Sequence, residues 1–389
     1  MTNRLQSATA RRKLALIFAA TLAVAVFLTG CAPGANFRPS GWSGLTGSDN
    51  LLFVAAGDGR VAALDKQDGK VLWMFPPNPK DKNARRPFAI YSAPAVSQDR
   101  VYVGDYAGTV FALNRTNGQE VWTYCIETNQ TAQCAESSQA SIVGDIVLKN
   151  GTLYVPSSNG TMYALDAGEG ALGNRIKWAF ATGDKVWSTP TISDDGVVYF
   201  GSLDHSVYAV SLDKGKQLWK YPTKGAIVGQ SLVFKGMVYI GGLDRTLYAL
   251  DAKNGAKKWE QSGDNWFWAG PVTNGATIFA ATLGGSLMSL DPETGKLRWS
   301  VTTKAPIVTP IVPLQDSLVV ATDDKYIRVF SADNGREVWP YPLDEKVRTK
   351  PVVSQQDGLV YIVDIHSKVR LLNAVRGTAL WGPQSLPES

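Results

Sequence analysis

Cysteine and histidine are scarce in this chain: its 389 residues include three cysteines and two histidines. The histidines, His205 and His366, stand in the turn-like sequences LDHS and DIHS, where an exposed side chain is the simpler interpretation. No Cys-x-x-Cys pair, phosphate-binding loop or Gly-x-Ser-x-Gly motif occurs. These absences leave no candidate nucleophile, general base or metal site, and the sequence predicts that the chain is not an enzyme.

Charged residues are also few, at 19%, whereas 44% of the residues are hydrophobic. This balance excludes an intrinsically disordered chain. The formal net charge of +5 falls to +1 when the first thirty residues, which hold four basic and no acidic residues, are left out. A nearly neutral body lacks the positive field that holds a polyanion, so nucleic acid is not expected as a partner.

The first thirty residues have the pattern of an export signal. Four basic residues precede the apolar run 14–28, and the sequence LTGC ends at Cys31. This resembles a bacterial lipobox, which implies a lipoprotein signal peptide at 1–30, lipidation of Cys31 and a tether at 31–41. An uncleaved membrane anchor is the alternative, since fifteen apolar residues are marginal for a span. We therefore expect export and attachment to the bacterial membrane, on its periplasmic or extracytoplasmic face.

The other two cysteines, Cys125 and Cys134, lie nine positions apart in the sequence YCIETNQTAQCAE. In an exported protein, a close pair inside one loop is typical of a disulfide. A zinc site is the alternative, and it is disfavoured because no histidine lies nearby. The sequence predicts a disulfide that pins this loop.

One phrase recurs along most of the chain. It reads SLDPETGKLRW at 289–299 and ALDAKNGAKKW at 249–259. Eight copies align on their closing tryptophans: Trp73, Trp122, Trp178, Trp219, Trp259, Trp299, Trp339 and Trp381. Five of the seven spacings are 40 to 42 residues, and the strand-rich units lack the 3.6-residue period of helical repeats. The repeat therefore predicts the blades of a β-propeller.

The fourth copy divides into four short strands, at 187–193, 197–202, 206–211 and 216–221, with turn sequences between them. The whole chain is accordingly predicted to be all-β, with an eight-bladed propeller of four-stranded antiparallel blades over 42–383. Residues 384–389 are expected to form a C-terminal tail.

Each residue type in the phrase has a predicted structural role. The aspartate, as at Asp65, Asp166, Asp251 and Asp291, can accept hydrogen bonds from the following turn. The glycine four residues later supplies a positive φ. The closing tryptophan is expected to cover the seam with the adjacent blade.

The pattern Ala-x-Asp-x-x-x-Gly-x-x-x-Trp resembles the tryptophan-docking motif of quinoprotein-type propellers. This fold is shared by the PQQ-dependent alcohol dehydrogenases and by the BamB lipoproteins of the outer-membrane assembly machinery. The dehydrogenases are longer and generally carry adjacent cysteines over the cofactor, together with calcium ligands. This sequence has no adjacent cysteines. The alternative that the resemblance implies is a small quinoprotein that binds PQQ with calcium, or a propeller that binds a sugar.

The preferred implication is a monomeric, lipid-anchored scaffold for protein–protein interaction in the cell envelope, similar to BamB and without a cofactor. In a host with an outer membrane, the expected partner is a BamA-like assembly component. In BamB proteins a Leu-x-Leu-Arg loop contacts that partner, but the corresponding connection here reads ATGDKVWSTP. The identity of the partner is thus implied by the resemblance alone.

Two insertions, 76–91 and 124–139, break the forty-residue spacing between an outer strand and the next inner strand. Connections of this type emerge on one rim of a propeller, so both are expected there as a recognition face. Alignment of the inner strands puts large side chains at one position of the even blades, whereas odd blades carry residues such as Ile227 and Val308. The candidate binding residues at this channel mouth are Tyr91, Trp187, Trp266, Phe267, Trp268 and Arg348. Alternatively, these side chains only plug the central channel.

Overall fold

The computed structural model describes residues 41–78, 85–169, 173–303 and 305–387, and the regular secondary structure in these ranges is entirely β. The predicted signal peptide, Cys31 and the tether up to residue 40 lie outside them. Within the same ranges, no helix has the length and apolar character needed to cross a bilayer.

The described strands form eight antiparallel sheets, each built from four consecutive strands. The first four sheets contain β1 Gly44–Ser48, β2 Leu51–Ala55, β3 Val61–Asp65 and β4 Val71–Phe75; β5 Ala95–Val96, β6 Arg100–Gly104, β7 Thr109–Asn114 and β8 Glu120–Cys125; β9 Val147–Lys149, β10 Thr152–Pro156, β11 Thr161–Asp166 and β12 Ile176–Ala181; β13 Thr191–Ile192, β14 Val197–Ser202, β15 Ser206–Ser211 and β16 Gln217–Pro222. The last four contain β17 Leu232–Phe234, β18 Met237–Gly241, β19 Thr246–Asp251 and β20 Lys257–Ser262; β21 Val272–Thr273, β22 Ile278–Ala281, β23 Ser286–Leu290 and β24 Leu297–Thr302; β25 Val312–Leu314, β26 Ser317–Thr322, β27 Tyr326–Ser331 and β28 Glu337–Pro342; β29 Val352–Ser354, β30 Leu359–Val363, β31 Val369–Asn373 and β32 Thr378–Gln384.

The prediction of an eight-bladed β-propeller with four-stranded blades is confirmed. In the fourth blade the second and third strands, β14 and β15, have the predicted bounds. The outer strand β16 is shifted by one residue, and the inner strand β13 is only two residues long. The inner segment is shorter because the chain bends at Ser188 and pairs in the ladder only from Thr191.

The hydrophobic core of the ring lies in its seams. Eight clusters of buried side chains each combine residues from two neighbouring blades. The second strand is buried on both faces, as β18 illustrates with all five residues buried. On the outer strand β20, Trp259 is the one buried residue of six. Contact between blades therefore depends heavily on the outer tryptophans.

A β-bulge precedes every closing tryptophan. In the fifth blade Ala249 pairs with Trp259 and Leu250 pairs with Lys257, so Lys258 has no partner in the ladder. The same register shift occurs in the other seven blades. The extra residue turns the indole toward the following blade. It also explains the exposed bulge residues Leu72, Leu218 and Leu380, each about half exposed.

The docking of Trp259 shows how one seam is built. Its ring lies over Gly295 of the sixth blade, where an added Cβ would be 2.6 Å from Trp259 Cδ2. The indole Nε1–H donates to the carbonyl of Pro292 at 2.9 Å, and the hydroxyl of Tyr239 donates to the same oxygen at 3.0 Å. The glycine of the repeated phrase thus has a second role: it provides a flat surface for the preceding blade's tryptophan.

The same docking closes the ring. Trp381 of the last blade lies on Gly69 of the first blade and donates to the carbonyl of Lys66 at 3.3 Å. No strand is exchanged between the described sheets. Seven of the eight tryptophans donate in this way, to the carbonyls of Arg115, Leu212, Ala252, Pro292, Ala332, Ala374 and Lys66.

Trp122, between blades two and three, is the exception. Its Nε1 has no acceptor among the described residues, and the guanidinium of Arg175 lies 3.9 Å from the ring centroid. Arg175 is buried and donates to the carbonyls of Asp166 and Gly168. At this seam a buried cation therefore lies over the indole.

The predicted role of the turn aspartates is confirmed. Asp291 Oδ1 accepts hydrogen bonds from the backbone N–H groups of Glu293 and Thr294. Together with the Thr294 hydroxyl and Arg298, these donors lower the pKa of Asp291 to about 2. Gly295, four residues after the aspartate, has a φ of 70°.

The expected boundary at residue 383 needs correction. Strand β32 continues to Gln384, and Leu386 is buried in the cluster between the last and first blades. The carbonyl of Pro387 accepts a hydrogen bond from the guanidinium of Arg60 in the first blade. The C-terminal residues up to 387 thus belong to the closing seam, because that seam has apolar surface for Leu386 to cover.

Candidate functional site

The two rims of the ring differ in their connections. One rim, here called the insertion rim, contains the turns between second and third strands and the connections from each blade to the next. The opposite rim contains the turns between first and second strands and between third and fourth strands. The described residues of both long insertions lie on the insertion rim, as the sequence predicted, because each insertion follows an outer strand, β4 or β8.

The two insertions contact each other. Phe88 of the first insertion packs against the cluster formed by Ala107, Cys125 and Cys134. The side-chain amide of Gln133, in the second insertion, donates to the carbonyl of Arg86 at 2.9 Å. Cys125 and Cys134 are joined by a disulfide. The described parts of the insertions, 85–91 and 124–139, therefore form one platform over the second blade.

A buried carboxylate, Asp105, holds this platform on its blade. Its Oδ1 accepts from the backbone N–H groups of Ala107 and Thr109, and its Oδ2 accepts from that of Phe88, at 2.8 to 3.0 Å. The Thr109 hydroxyl in turn accepts from the backbone N–H of Cys134 at 3.0 Å. Burial of Asp105 outweighs these donors and raises its pKa to about 6.

This raised pKa predicts a pH-dependent stability. The folded state retains the Asp105 proton up to about pH 6, whereas the unfolded state loses it near pH 4. The stabilisation of the folded state that comes from binding this proton is therefore fully present below about pH 4. It is lost as the pH rises through 6. We expect Asp105→Asn to cost more unfolding free energy at pH 4 than at pH 7, as measured by urea denaturation at both values. An equal cost at the two pH values would contradict the raised pKa.

The connections between blades bury one side chain in each seam. Seven described residues share this position and are at most 2% exposed: Ile90, Ile142, Val186, Ile227, Phe267, Ile307 and Val347. At five of these seams the residue's N–H also donates to a carbonyl in the preceding blade, as Phe267 does to Gly242 at 3.3 Å. Because the side chain at this position points into the seam, the side chains of the residues before and after it point away from the seam.

The assignment of Phe267 to the channel mouth is therefore wrong. Phe267 is 1% exposed and belongs to the cluster between blades five and six. Gly241 makes room for it, since an added Cβ there would be 2.2 Å from Phe267 Cβ. Successive side chains of an extended segment point to opposite sides, so Trp266 and Trp268 turn away from the seam and are half-buried.

The residue after each buried position is the one that the sequence predicted to line the channel mouth. Tyr91, Trp187, Trp268 and Arg348 all hold this position and are half-buried. Val228 is the equivalent residue in the fifth blade, so the alignment that placed Ile227 there was one residue out of register. Trp42 holds this position in the first blade and was not among the predicted residues. The parallel between GWS at 41–43 and IYS at 90–92 would have identified it.

The residues predicted at the channel mouth do not form one cluster. Tyr91 packs against Trp42, with ring centroids 5.6 Å apart, and against Tyr106, at 5.1 Å. Trp187 lies two blades away, where its Nε1–H donates to the hydroxyl of Ser158 at 3.0 Å. The structure thus separates the predicted aromatic residues into sectors of the insertion rim.

Arg348 is held by an acidic side chain. Its guanidinium lies 2.6 Å from Asp323, which also pairs with Lys346 at 2.8 Å. The predicted Arg348 site is consequently a small ion-pair network between blades seven and eight.

Other turn aspartates on this rim have local partners. Asp244 accepts from the Tyr248 hydroxyl at 2.6 Å and from the backbone N–H of Lys224 at 3.0 Å. Asp204 makes the corresponding contacts with Tyr208 and Gly183. In the described ranges, no group of three or more His, Cys, Asp or Glu residues is placed to hold a metal ion.

Comparison with known families identifies the chain. A family model described as outer membrane protein assembly factor BamB matches residues 32–179, 173–266 and 264–388. The chain belongs to the BamB family. A curated BamB from Yersinia pestis is 27% identical over 192 residues, which cover 48% of this chain and 43% of that protein. The matched stretch thus spans less than half of this relative's length.

Two solved structures share the fold at low sequence identity. BamB from Moraxella catarrhalis superposes with a TM-score of 0.69 and 15% identity, covering 84% of this chain and 95% of the other. The quinohemoprotein alcohol dehydrogenase ADHIIG of Pseudomonas putida gives a TM-score of 0.65 and 14% identity, covering 85% of this chain and 70% of the other. At these identities the likeness concerns the fold alone.

Proposed function

We propose that this BamB-family protein is a non-enzymatic, lipid-anchored scaffold of the bacterial cell envelope that binds a partner protein during outer-membrane protein assembly. Membership of the BamB family supports the proposed role in outer-membrane protein assembly. The observation that supports the binding surface is the difference between the rims. The insertion rim carries the described parts of the two insertions, which contact each other, and half-buried aromatic rings, whereas the described turns of the opposite rim are short apart from the longer one between β11 and β12.

Anchoring is proposed through Cys31, at the end of the predicted signal peptide. In this proposal export removes residues 1–30, and the lipid on Cys31 holds the propeller at the periplasmic face of the outer membrane. The proposed body is monomeric and requires no cofactor for its binding function.

The proposed partner is a BamA-like component of the assembly machinery. The sequence at 181–190 lacks a Leu-x-Leu-Arg loop, so this connection would have to dock through other side chains. Trp187 is the strongest candidate in it, because its half-buried ring is fixed by Ser158 and lies 5.7 Å from Lys185 Nζ. Aromatic side chains of this kind dominate the binding energy of many protein interfaces.

The proposal is tested by photocrosslinking in the host cell. The intact lipoprotein carries p-benzoylphenylalanine at Trp187 on the insertion rim, or at Val375 on the opposite rim as the matched control. We expect a protein adduct with an envelope assembly component from Trp187 and not from Val375, identified by mass spectrometry. Equal adducts from both positions, or only non-envelope proteins, would argue against the proposed rim.

A separate measurement tests the non-enzymatic assignment. PQQ and calcium are added to the purified protein while tryptophan fluorescence and dye-linked alcohol oxidation are followed. Neither saturable quenching nor turnover is expected. The appearance of both would make the quinoprotein alternative correct.

A further inference from the structure

The chain enters the propeller on the insertion rim. Gly41 is the first described residue, and its N–H donates to the carbonyl of Gly57, in a turn of that rim, at 2.8 Å. Gly41 also lies directly against the backbone of Ile90, since an added Cβ would be 1.8 Å from the Ile90 oxygen. Whatever precedes Gly41 is therefore attached at this rim, between blades one and two.

An aromatic patch stands at the same place. It consists of Trp42, Tyr91 and Tyr106, with successive ring centroids 5.6 and 5.1 Å apart. Tyr106 is the outermost of the three and is 37% exposed. Among the described residues, the other exposed large hydrophobic side chains lie on outer strands, apart from Val375 on the opposite rim. Trp42 and Tyr91 are half-buried, so Tyr106 is the exposed end of an aromatic patch next to the chain's entry point.

The predicted tether limits how far the propeller can move from Cys31. Ten peptide units join Cys31 to Gly41, so their fully extended reach is about 33–36 Å. As a flexible coil they would span about 16–19 Å on average. The aromatic patch, which begins at the next residue, is thus held at a high local concentration near whatever Cys31 is attached to.

We propose that the aromatic patch of Trp42, Tyr91 and Tyr106 rests in the headgroup region of the membrane, so that the insertion rim faces the bilayer. This inference depends on the lipid anchor at Cys31 that the proposed function includes. Tyrosine and tryptophan favour the membrane interface because an apolar ring and a polar tip meet the two environments there. Because the tether already holds the patch close to the bilayer, even a weak affinity of the patch for the headgroup region is sufficient to keep it there.

This orientation leaves the remainder of the rim accessible. The patch occupies blades one and two, while Trp187 lies on the fourth blade, a quarter turn away from Tyr91. A ring that touches the bilayer at one sector can therefore still present its fourth blade to a protein partner. The opposite rim, with Val375, is on the side away from the membrane.

The test uses the intact lipoprotein in vesicles of phosphatidylcholine, with no other protein present. Benzophenone is placed by Tyr106→p-benzoylphenylalanine in one variant and by Val375→p-benzoylphenylalanine in the other. We expect lipid adducts at Tyr106 in at least tenfold excess over Val375 after illumination, measured by mass spectrometry. Equal yields, or no lipid adduct at Tyr106, would overturn the proposal.

A second comparison distinguishes the contribution of the aromatic patch to membrane contact from that of the lipid anchor. The Tyr106 variant carrying Cys31→Ser is illuminated with the same vesicles, and its lipid adducts are expected to disappear at equal protein concentration. If mass spectrometry shows that Cys31 carries no lipid in the host, the anchor in the proposed function fails. A diacyl maleimide coupled to the Cys31 thiol then still tests the patch, because the tether length is unchanged. If the protein with the coupled diacyl maleimide gives no lipid adduct at Tyr106, the proposed orientation of the insertion rim toward the bilayer is wrong.

Discussion

Replacement of Trp259 by alanine is expected to lower the free energy of unfolding by about 3 to 5 kcal/mol. The indole is 9% exposed and fills the seam between blades five and six together with Tyr239 and Phe267. Its removal leaves a cavity over Gly295 that the rigid turn cannot collapse to fill. Urea denaturation followed by circular dichroism measures the loss.

The control for this prediction is the same substitution at Trp266, which is half-buried on the insertion rim. We expect a smaller loss there, because the ring at that position does not fill a seam. Trp259→Phe should fall between the two, since it keeps an aromatic ring but loses the hydrogen bond to Pro292. An equal cost for Trp259→Ala and Trp266→Ala would show that the seams do not depend on the closing tryptophans.

Gly255→Ala is expected to destabilise the ring for two reasons that can be separated. The residue has a φ of 73°, which costs an alanine about 1–2 kcal/mol. The added Cβ would also lie 2.8 Å from the ring of Trp219, and such overpacking costs about 1–3 kcal/mol more. The combined loss is measured by urea denaturation.

Gly236 provides the matched control. Its φ is 71°, but no atom lies within 4 Å of an added Cβ. Gly236→Ala should therefore show the backbone cost alone, and the difference between the two variants isolates the role of glycine as a surface for the indole. If both alanines cost the same, the glycine of the repeated phrase is needed only for its backbone conformation.

The number of blades and the middle strands could be predicted because their signals are local and repeated. Each unit carries its own turn glycine and its own apolar strand, as in β14 and β15, so eight copies reinforce one interpretation. The inner strand was less predictable. Its residues serve both the ladder and the connection between blades, and in the fourth blade a bend at Ser188 leaves a strand of only two residues.

The candidate site was only partly predictable. Position along the strand predicted that Tyr91, Trp187 and Trp268 share one position in the connections between blades, yet it did not distinguish Phe267 from its neighbours. The burial of Phe267 depends on Gly241, which lies 26 positions earlier in the sequence, on the preceding blade. Residues next to Phe267 in the sequence do not reveal a contact with a glycine 26 positions away, since any apolar residue would fit the local sequence pattern equally well.

By itself, the sequence determined that this protein is a ring of eight repeated sheets and that the closing tryptophans cover the seams. Those features follow from hydrogen bonds and periods within about forty residues of one another. Only the tertiary structure decided which aromatic rings fill seams and which reach the rim, that Arg175 covers Trp122, and that Trp381 closes the ring on Gly69. Each of these contacts depends on how closely two segments that are distant in sequence approach each other. The space that a side chain can fill in a seam is defined only after the two blades have packed together.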